Sequence, residues 1–131
     1  MREEEDKYSN SSLSEEKKRE MAAKLLYLME TKKYFMQSNF NVDKLSQLLH
    51  SNKRYIYQLI NEKFDKNFND FVNEYRVREA RKMLRNRDYF SYSIEGIGYS
   101  VGFRSRSTFH CAFKKFTGLT PASYQKTAGA A

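Results

Sequence analysis

Hydrophobic positions recur with helical spacing in two separate stretches of the chain. The paired positions, most of them hydrophobic and the rest small or polar, are Leu45, Ser46 and Leu49 with Ile97, Gly98 and Val101, 52 residues later, and Ile56, Ile60, Asp65, Asn67 and Phe71 with Phe109, Phe113, Gly118, Thr120 and Tyr124, 53 residues later. Each stretch has the pattern of a short apolar helix, a tight turn and a longer polar helix, which is typical of a helix-turn-helix. The sequence therefore predicts two helix-turn-helix units, with one extra residue in the second turn.

Polar side chains that can accept hydrogen bonds from free helix amides mark the start of each predicted helix. They are Ser14 (helix to about Phe35), Asn41 (to Leu49), Asn52 (to about Lys63), Asn67 (Phe68 to about Arg87), Ser93 (to about Val101), Ser105 (to about Phe116) and Thr120 (a last turn through Tyr124). Gly102 and Gly118 are predicted to let the chain turn at the ends of two of these helices.

The predicted fold is all-α, since the chain has one Pro and five Gly and lacks the alternation typical of strands. We expect a helical domain over residues 13–126, with a first unit at about 40–66 and a second at about 93–126. A central helix at about 68–87 joins the units; its ~30 Å length is close to the ~34 Å of one DNA turn. Residues 1–12 and 127–131 are predicted to be disordered tails.

The longer helix of each unit has an outward face that carries candidate DNA-binding residues. They are Lys53, Arg54, Tyr57, Gln58 and Asn61 in the first unit, and Arg106, Ser107, His110, Cys111, Lys114 and Lys115 in the second. Arg and Gln suit the reading of guanine and adenine edges, and Lys suits phosphate. For either helix taken alone, the alternative is an ordinary solvated face.

The positive charge of the chain lies on the repeated part. The formal net charge is +8; residues 1–39 have eight basic and eight acidic residues, whereas residues 40–126 have sixteen and eight. A cation excess confined to one domain is typical of a protein that binds a polyanion such as nucleic acid.

Few residues suit other chemistry. His50 and His110 lie far apart in the sequence, Cys111 is the only cysteine, and a Gly-rich phosphate loop is absent. We therefore expect no enzymatic activity, no metal and no cofactor. With no apolar run near ~18 residues, we also expect a soluble, cytoplasmic protein without membrane contact.

The second unit closely resembles the AraC/XylS family of bacterial transcription regulators. The resemblance lies in the segments Ser93–Phe103 (SIEGIGYSVGF), Ser107–Phe109 (STF) and Phe113–Tyr124 (FKKFTGLTPASY), and extends upstream through Asn67–Val72 (NFNDFV) and Arg76–Ala80 (RVREA) to about Leu45. It covers about residues 40–125.

This resemblance implies a seven-helix DNA-binding domain whose two helix-turn-helix units, joined by a long helix, insert into adjacent major grooves. Such a domain usually lies at the C-terminus of a longer regulator. The implied partners are double-stranded DNA and, as a further candidate, RNA polymerase, with this segment monomeric and oligomerisation left to another domain. The family's base-reading positions fall on Arg54, Tyr57, Gln58 and Asn61, and on Arg106, Ser107, His110 and Cys111.

Several residues depart from the family pattern. Gln58 and Cys111 stand where Arg is frequent, so the preferred bases can differ. His50 and Asp65 stand where Gly is usual, and we expect backbone strain at both turns. Gly98 replaces the usual Ala, and we expect it only to loosen its helix.

Other roles remain open at this stage. His110 and Cys111 are adjacent, which allows a zinc ligand pair or a redox-sensitive thiolate near Arg106, although both alternatives are weaker than DNA contact. For the whole domain, the alternatives are an architectural or RNA-binding module and a binding domain for an acidic protein.

Overall fold

A computed structural model describes residues 13–130, and over that range the fold is all-α. The residues described form seven α-helices: α1 (Glu15–Glu30), α2 (Val42–Leu48), α3 (Lys53–Phe64), α4 (Phe68–Arg85), α5 (Ile94–Ser100), α6 (Arg106–Thr117) and α7 (Pro121–Ala130). Short 3-10 helices lie at Tyr34–Met36 and Arg87–Tyr89. The tail predicted at residues 1–12 lies outside the described residues, as does residue 131.

Six of the predicted N-caps are confirmed. In each, the side-chain oxygen accepts from the backbone N–H three residues later: Ser14 from Lys17, Asn41 from Lys44, Asn52 from Tyr55, Ser93 from Gly96, Ser105 from Thr108 and Thr120 from Ser123. The caps satisfy amides that have no partner inside the helix, which is why these polar residues fix the helix starts.

Three predicted helix ends are wrong. α1 stops at Glu30 rather than near Phe35, because Lys33 adopts a left-handed conformation (φ 54°) and Phe35 is buried in the 3-10 turn that follows. α4 stops at Arg85, two residues early. α7 continues to Ala130, so residues 127–130 are helical rather than a disordered tail; the Thr127 hydroxyl donates to the Ser123 carbonyl, and alanine favours helix.

The first structural unit comprises α1, α2 and α3. It contains the described residues up to Lys33 together with Asn41–Phe68. α3 packs against both α1 and α2, so α1 covers the first helix-turn-helix. The buried apolar side chains of this unit are Leu25, Leu28, Met29, Leu45, Leu49, Ile56, Leu59 and Ile60.

The second unit comprises α4 to α7, from Asn69 onward, together with Tyr34–Phe40. α4 contributes to one apolar cluster with α5 and α6, formed by Val77, Ala80, Met83, Leu84, Ile97, Val101, Phe103, Phe109, Ala112 and Phe113. α7 packs on α6 through the rings of Tyr124 and Phe113, whose centroids are 5.5 Å apart. The long helix is therefore part of a packed core as well as a connection.

Arg76 is half-buried rather than lying on the open surface of α4. Its Nε donates to the Phe35 carbonyl (2.7 Å) and its Nη2 to the Gln37 carbonyl (3.0 Å). Burial, and secondarily the charge of Arg104, lowers the pKa of Arg76 to about 10, so it stays charged at neutral pH. Arg76 thus ties Tyr34–Phe40 to the second unit, although this segment precedes α2 in the chain.

Candidate nucleic-acid interface

The two helix-turn-helix turns have the same backbone hydrogen bonds. In the first, the amide of Ser51 donates to the Ser46 carbonyl at 2.9 Å. In the second, the amide of Phe103 donates to the Gly98 carbonyl at 3.0 Å, and these are the repeat-related positions. The repeat read from the sequence therefore reflects the same turn built twice.

The strain expected at His50 and Asp65 is confirmed by the backbone. Both residues are left-handed, with φ of 52° and 55°, and their counterparts Gly102 and Gly118 also have positive φ. A left-handed conformation costs an ordinary L-residue about 1–2 kcal/mol that glycine does not pay. The first unit thus forms the same turns as the second at a higher local cost.

Gly98 has a packing role, so the expectation that it only loosens its helix is wrong. A Cβ at Gly98 would lie 2.5 Å from Cδ2 of Phe109, a distance that real contacts do not reach. The Phe109 ring occupies the space that a side chain would fill. At the repeat-related positions the first unit has Ser46, which is larger than glycine, and Ile56, which is smaller than phenylalanine.

The predicted reading face of α3 is largely accessible. Lys53, Arg54, Tyr57 and Asn61 are exposed, and Tyr57 keeps 48% of its surface open. Gln58 is half-buried, and its Nε2 donates to Oε1 of Glu62 at 3.2 Å. Lys53 Nζ lies 3.4 Å from Asp43 Oδ1.

The predicted reading face of α6 is accessible except at one position. Arg106, Ser107, Cys111, Lys114 and Lys115 are exposed. His110, predicted to lie outside, is half-buried, with its ring edge-on to Phe109 at a centroid distance of 5.7 Å. Its Nε2 is shielded from solvent and has no hydrogen-bond partner among the described residues.

α3 and α6 each begin with a basic residue paired to an acid of the preceding helix. Arg106 Nε lies 3.3 Å from Glu95 Oε1, as Lys53 lies near Asp43. The two pairs occupy repeat-related positions although the residue types differ. Exposed pairs of this kind add little stability, but they restrict where the cation points.

A second ion pair fastens α3 to α1 and another fastens α6 to α4, and sequence reasoning missed both pairs. Lys18 Nζ lies 2.7 Å from Glu62 Oε2, and Lys115 Nζ lies 2.8 Å from Asp70 Oδ2. The positions are again related by 52 and 53 residues, with the charges reversed. The repeat therefore extends back to α1, and comparison at that offset was the signal that could have revealed it.

The ion pairs shift the pKa values of both partners in the first unit. The hydrogen bond to Glu62 raises the pKa of Lys18, although burial alone would lower it. The hydrogen bond from Lys18, with a further one from Gln58, lowers the pKa of Glu62. Both groups are therefore held in their charged forms at neutral pH.

A shallow groove of about 360 Å³ runs along α6 within the second unit. Its lining includes Ser107, Cys111 and Lys115 of α6 and Asp70 and Asn73 of α4. Among residues 13–130, no cluster of His, Cys, Asp or Glu side chains could hold a metal ion. Nor is any helix in that range long and apolar enough to cross a membrane.

Comparison with protein families identifies this arrangement. A family model described as a helix-turn-helix domain matches residues 45–127. The chain belongs to the AraC-type helix-turn-helix family of DNA-binding transcription regulators. The resemblance, the double helix-turn-helix fold and a function in DNA-binding regulation are thereby confirmed.

Individual AraC-type relatives are distant. An uncharacterised helix-turn-helix transcriptional regulator of Pseudoalteromonas carrageenovora is 25% identical over 122 residues, covering 90% of this chain and 70% of the relative. The regulator GlxA of Rhizobium meliloti is 29% identical over 105 residues, covering 80% of this chain and 32% of the relative. GlxA and three further curated relatives are much longer than this chain, which spans 23–35% of their length.

Solved structures share the AraC-type fold. The C-terminal domain of the response regulator yesN from Fusobacterium nucleatum has a TM-score of 0.66 at 25% identity, covering 79% of this chain and 98% of that one. The DNA-binding domain of AdpA, solved in complex with a target DNA, has a TM-score of 0.70 at 20% identity, covering 84% of this chain and 93% of that one. At such identity the second comparison shows the fold alone.

Proposed function

We propose that this chain recognises a specific double-stranded DNA sequence by inserting α3 and α6 into successive major grooves. The observation that carries the proposal is the repeat itself: each unit holds a capped helix of 12 residues behind the same hydrogen-bonded turn and leaves one polar and basic face exposed. The DNA complex of AdpA supports it, because that domain has the same fold. The excess of basic residues in residues 40–126 favours a polyanion partner.

The exposed residues divide into two roles. Arg54, Tyr57, Gln58 and Asn61 of α3, and Arg106, Ser107 and Cys111 of α6, are proposed to meet base edges. Lys53, Lys114 and Lys115 are proposed to contact phosphates. His110 offers only the part of its ring that does not pack against Phe109.

The chain is further proposed to be the DNA-binding part of a longer cytoplasmic regulator. It covers only about a third or less of most curated relatives, so signal sensing and oligomerisation are assigned to other regions. By itself it should bind as a monomer, since both reading helices belong to one chain. Contact with RNA polymerase is proposed for the whole regulator.

Hydroxyl-radical footprinting of the isolated chain on a selected duplex tests this function. We expect two protected patches on one face of the DNA, ~10 base pairs apart, at one chain per site. The variant Arg54→Ala with Gln58→Ala should weaken one patch and Arg106→Ala the other, whereas Lys82→Ala, on the exposed surface of α4, should leave both. A single patch, two chains per site, or equal competition by single-stranded RNA would contradict the proposal.

A further inference from the structure

A buried lysine of α1 is connected to the reading face of α3. Lys18 is only 8% exposed, and its Nζ lies 2.7 Å from Glu62 Oε2 and 3.5 Å from Glu15 Oε1. A lysine is rarely buried without a partner, so the position of its ammonium group also restrains the Glu62 carboxylate.

The same carboxylate orients Gln58. Its other oxygen, Oε1, accepts from Gln58 Nε2 at 3.2 Å. An ionised carboxylate can only accept hydrogen bonds, so the amide must turn its NH₂ group toward Glu62 and its carbonyl elsewhere. Lys18 and Glu62 together therefore fix which end of the Gln58 amide is available for other contacts.

We propose that Lys18 and Glu62 are positioning residues that make Gln58 present its carbonyl oxygen to a base amine in the major groove. Adenine fits best, because its N6 amine can donate to the carbonyl while its N7 accepts the second amide N–H. Guanine fits worst, because its N7 and O6 are both acceptors and neither can donate to the Gln58 carbonyl oxygen. This inference rests on the proposed function and adds one base preference to it.

The second unit shows that the polarity of this ion pair is not required by the fold. Asp70 and Lys115 are the repeat-related counterparts of Lys18 and Glu62, with opposite charges and a similar separation of 2.8 Å. The counterpart of Gln58 is Cys111, whose thiol is a weak donor and acceptor. The acidic and basic partners of this ion pair can therefore exchange places in a unit of this type. Their effect on base preference, however, requires a glutamine at the position of Gln58.

A charge exchange within the first unit tests the proposal. The variant Lys18→Glu with Glu62→Lys keeps an ion pair between α1 and α3, but an ammonium group only donates, so it should hold the Gln58 carbonyl and turn the NH₂ group toward the DNA. The preference at the base pair facing Gln58 should then move from adenine toward guanine or thymine, whose O6 and O4 accept. We expect a change of about tenfold in the affinity ratio of adenine to guanine duplexes.

The base pair is first located with Gln58→Ala, which should relax preference at one position in selection from a randomised duplex library. Competition binding with the four duplexes that differ there then gives the affinity ratios. Lys63→Met is the matched control: it removes a neighbouring ion pair between the same two helices, Lys63 to Glu15 at 3.4 Å, and leaves Gln58 and Glu62 in place. Its base preference should equal that of the wild type.

Three outcomes would count against these claims: the first overturns the proposed function, and the other two overturn the positioning role of Lys18 and Glu62. A wild-type chain without sequence preference would overturn the proposed function itself. A folded charge-exchange variant that keeps the wild-type ratio would overturn only the positioning role. Should that variant not fold, Lys18→Met with Glu62→Ala removes the pair without leaving a buried charge, and an adenine-to-guanine ratio unchanged from wild type would overturn the positioning role equally well.

Discussion

At the scale of single residues, exposed basic side chains of one helix differ in what holds them. Arg106 lies beside Glu95, and Lys115 beside Asp70. Lys114 is exposed in the last turn of α6, at the position that corresponds to Asn61 in α3. A guanidinium restrained by a carboxylate is suited to a directed contact with a base, whereas a mobile ammonium group is suited to the diffuse charge of phosphates.

Arg106→Ala and Lys114→Ala should therefore weaken binding in different ways. Arg106→Ala should cost about 1–3 kcal/mol on the preferred site and relax preference at one position, as loss of an Arg–guanine contact does. Lys114→Ala should weaken preferred and random duplexes alike and reduce the salt slope by about one ion. Titrations of both duplexes at several salt concentrations measure this, and equal losses on the two duplexes for Arg106→Ala would exclude base reading by Arg106.

At the scale of helices, the second unit is held together by a close contact between α5 and α6. Gly98 leaves the space that the Phe109 ring occupies, and Phe109 in turn contacts Phe103 and Phe113 within the core. At the repeat-related positions the first unit has Ser46 and Ile56. A larger residue in place of glycine is thus accompanied by a smaller one in place of phenylalanine, and we expect the sizes at the two positions to be coupled.

Gly98→Ala should destabilise the second unit by about 1–3 kcal/mol, the usual cost of overfilling a packed core. In a Phe109→Ile background, which imitates the first unit, the same substitution should cost much less, because the branched side chain leaves room for a methyl group. Urea denaturation of the four proteins gives a double-mutant cycle. Additive costs would show that the ring does not contact position 98 as described.

At the scale of the whole molecule, the two units share one backbone plan but differ in the cost of forming it. His50 and Asp65 hold left-handed conformations in the first unit where the second has Gly102 and Gly118. We expect strain at these two turns to lower the local stability of the first unit and to hold α3 less firmly than α6; a helix held less firmly discriminates less for the same contacts, because more freedom is lost on binding.

We therefore predict that the second unit contributes more to sequence choice than the first. Selection from a randomised duplex library should return a strong half-site facing α6 and a weaker one facing α3. In the variant His50→Gly with Asp65→Gly, the selected sequences should show a stronger base preference in the weaker half-site. The order is reversed if the stronger half-site disappears in Arg54→Ala with Gln58→Ala and persists in Arg106→Ala.

Local features of the chain were predictable because the interactions behind them span only a few residues. The caps at Asn52 and Ser105 bond to amides three residues on, and the apolar stripes of α3 and α6 follow from helical periodicity. The left-handed turns at His50 and Asp65 were expected from the family resemblance, because glycine is usual at both positions. Helix order, turn positions and the two polar faces were thus determined by the sequence itself.

Other features depended on residues that are distant in the chain. Arg76 is withdrawn from the surface by carbonyls 41 and 39 residues away, and Lys115 is paired with Asp70 across 45 residues. The half-buried ring of His110, the space beside Gly98 and the link from Lys18 through Glu62 to Gln58 likewise exist only once helices pack. Periodicity along one helix shows which face points outward, but which neighbour restrains a side chain on that face is decided by tertiary contacts that no local pattern encodes.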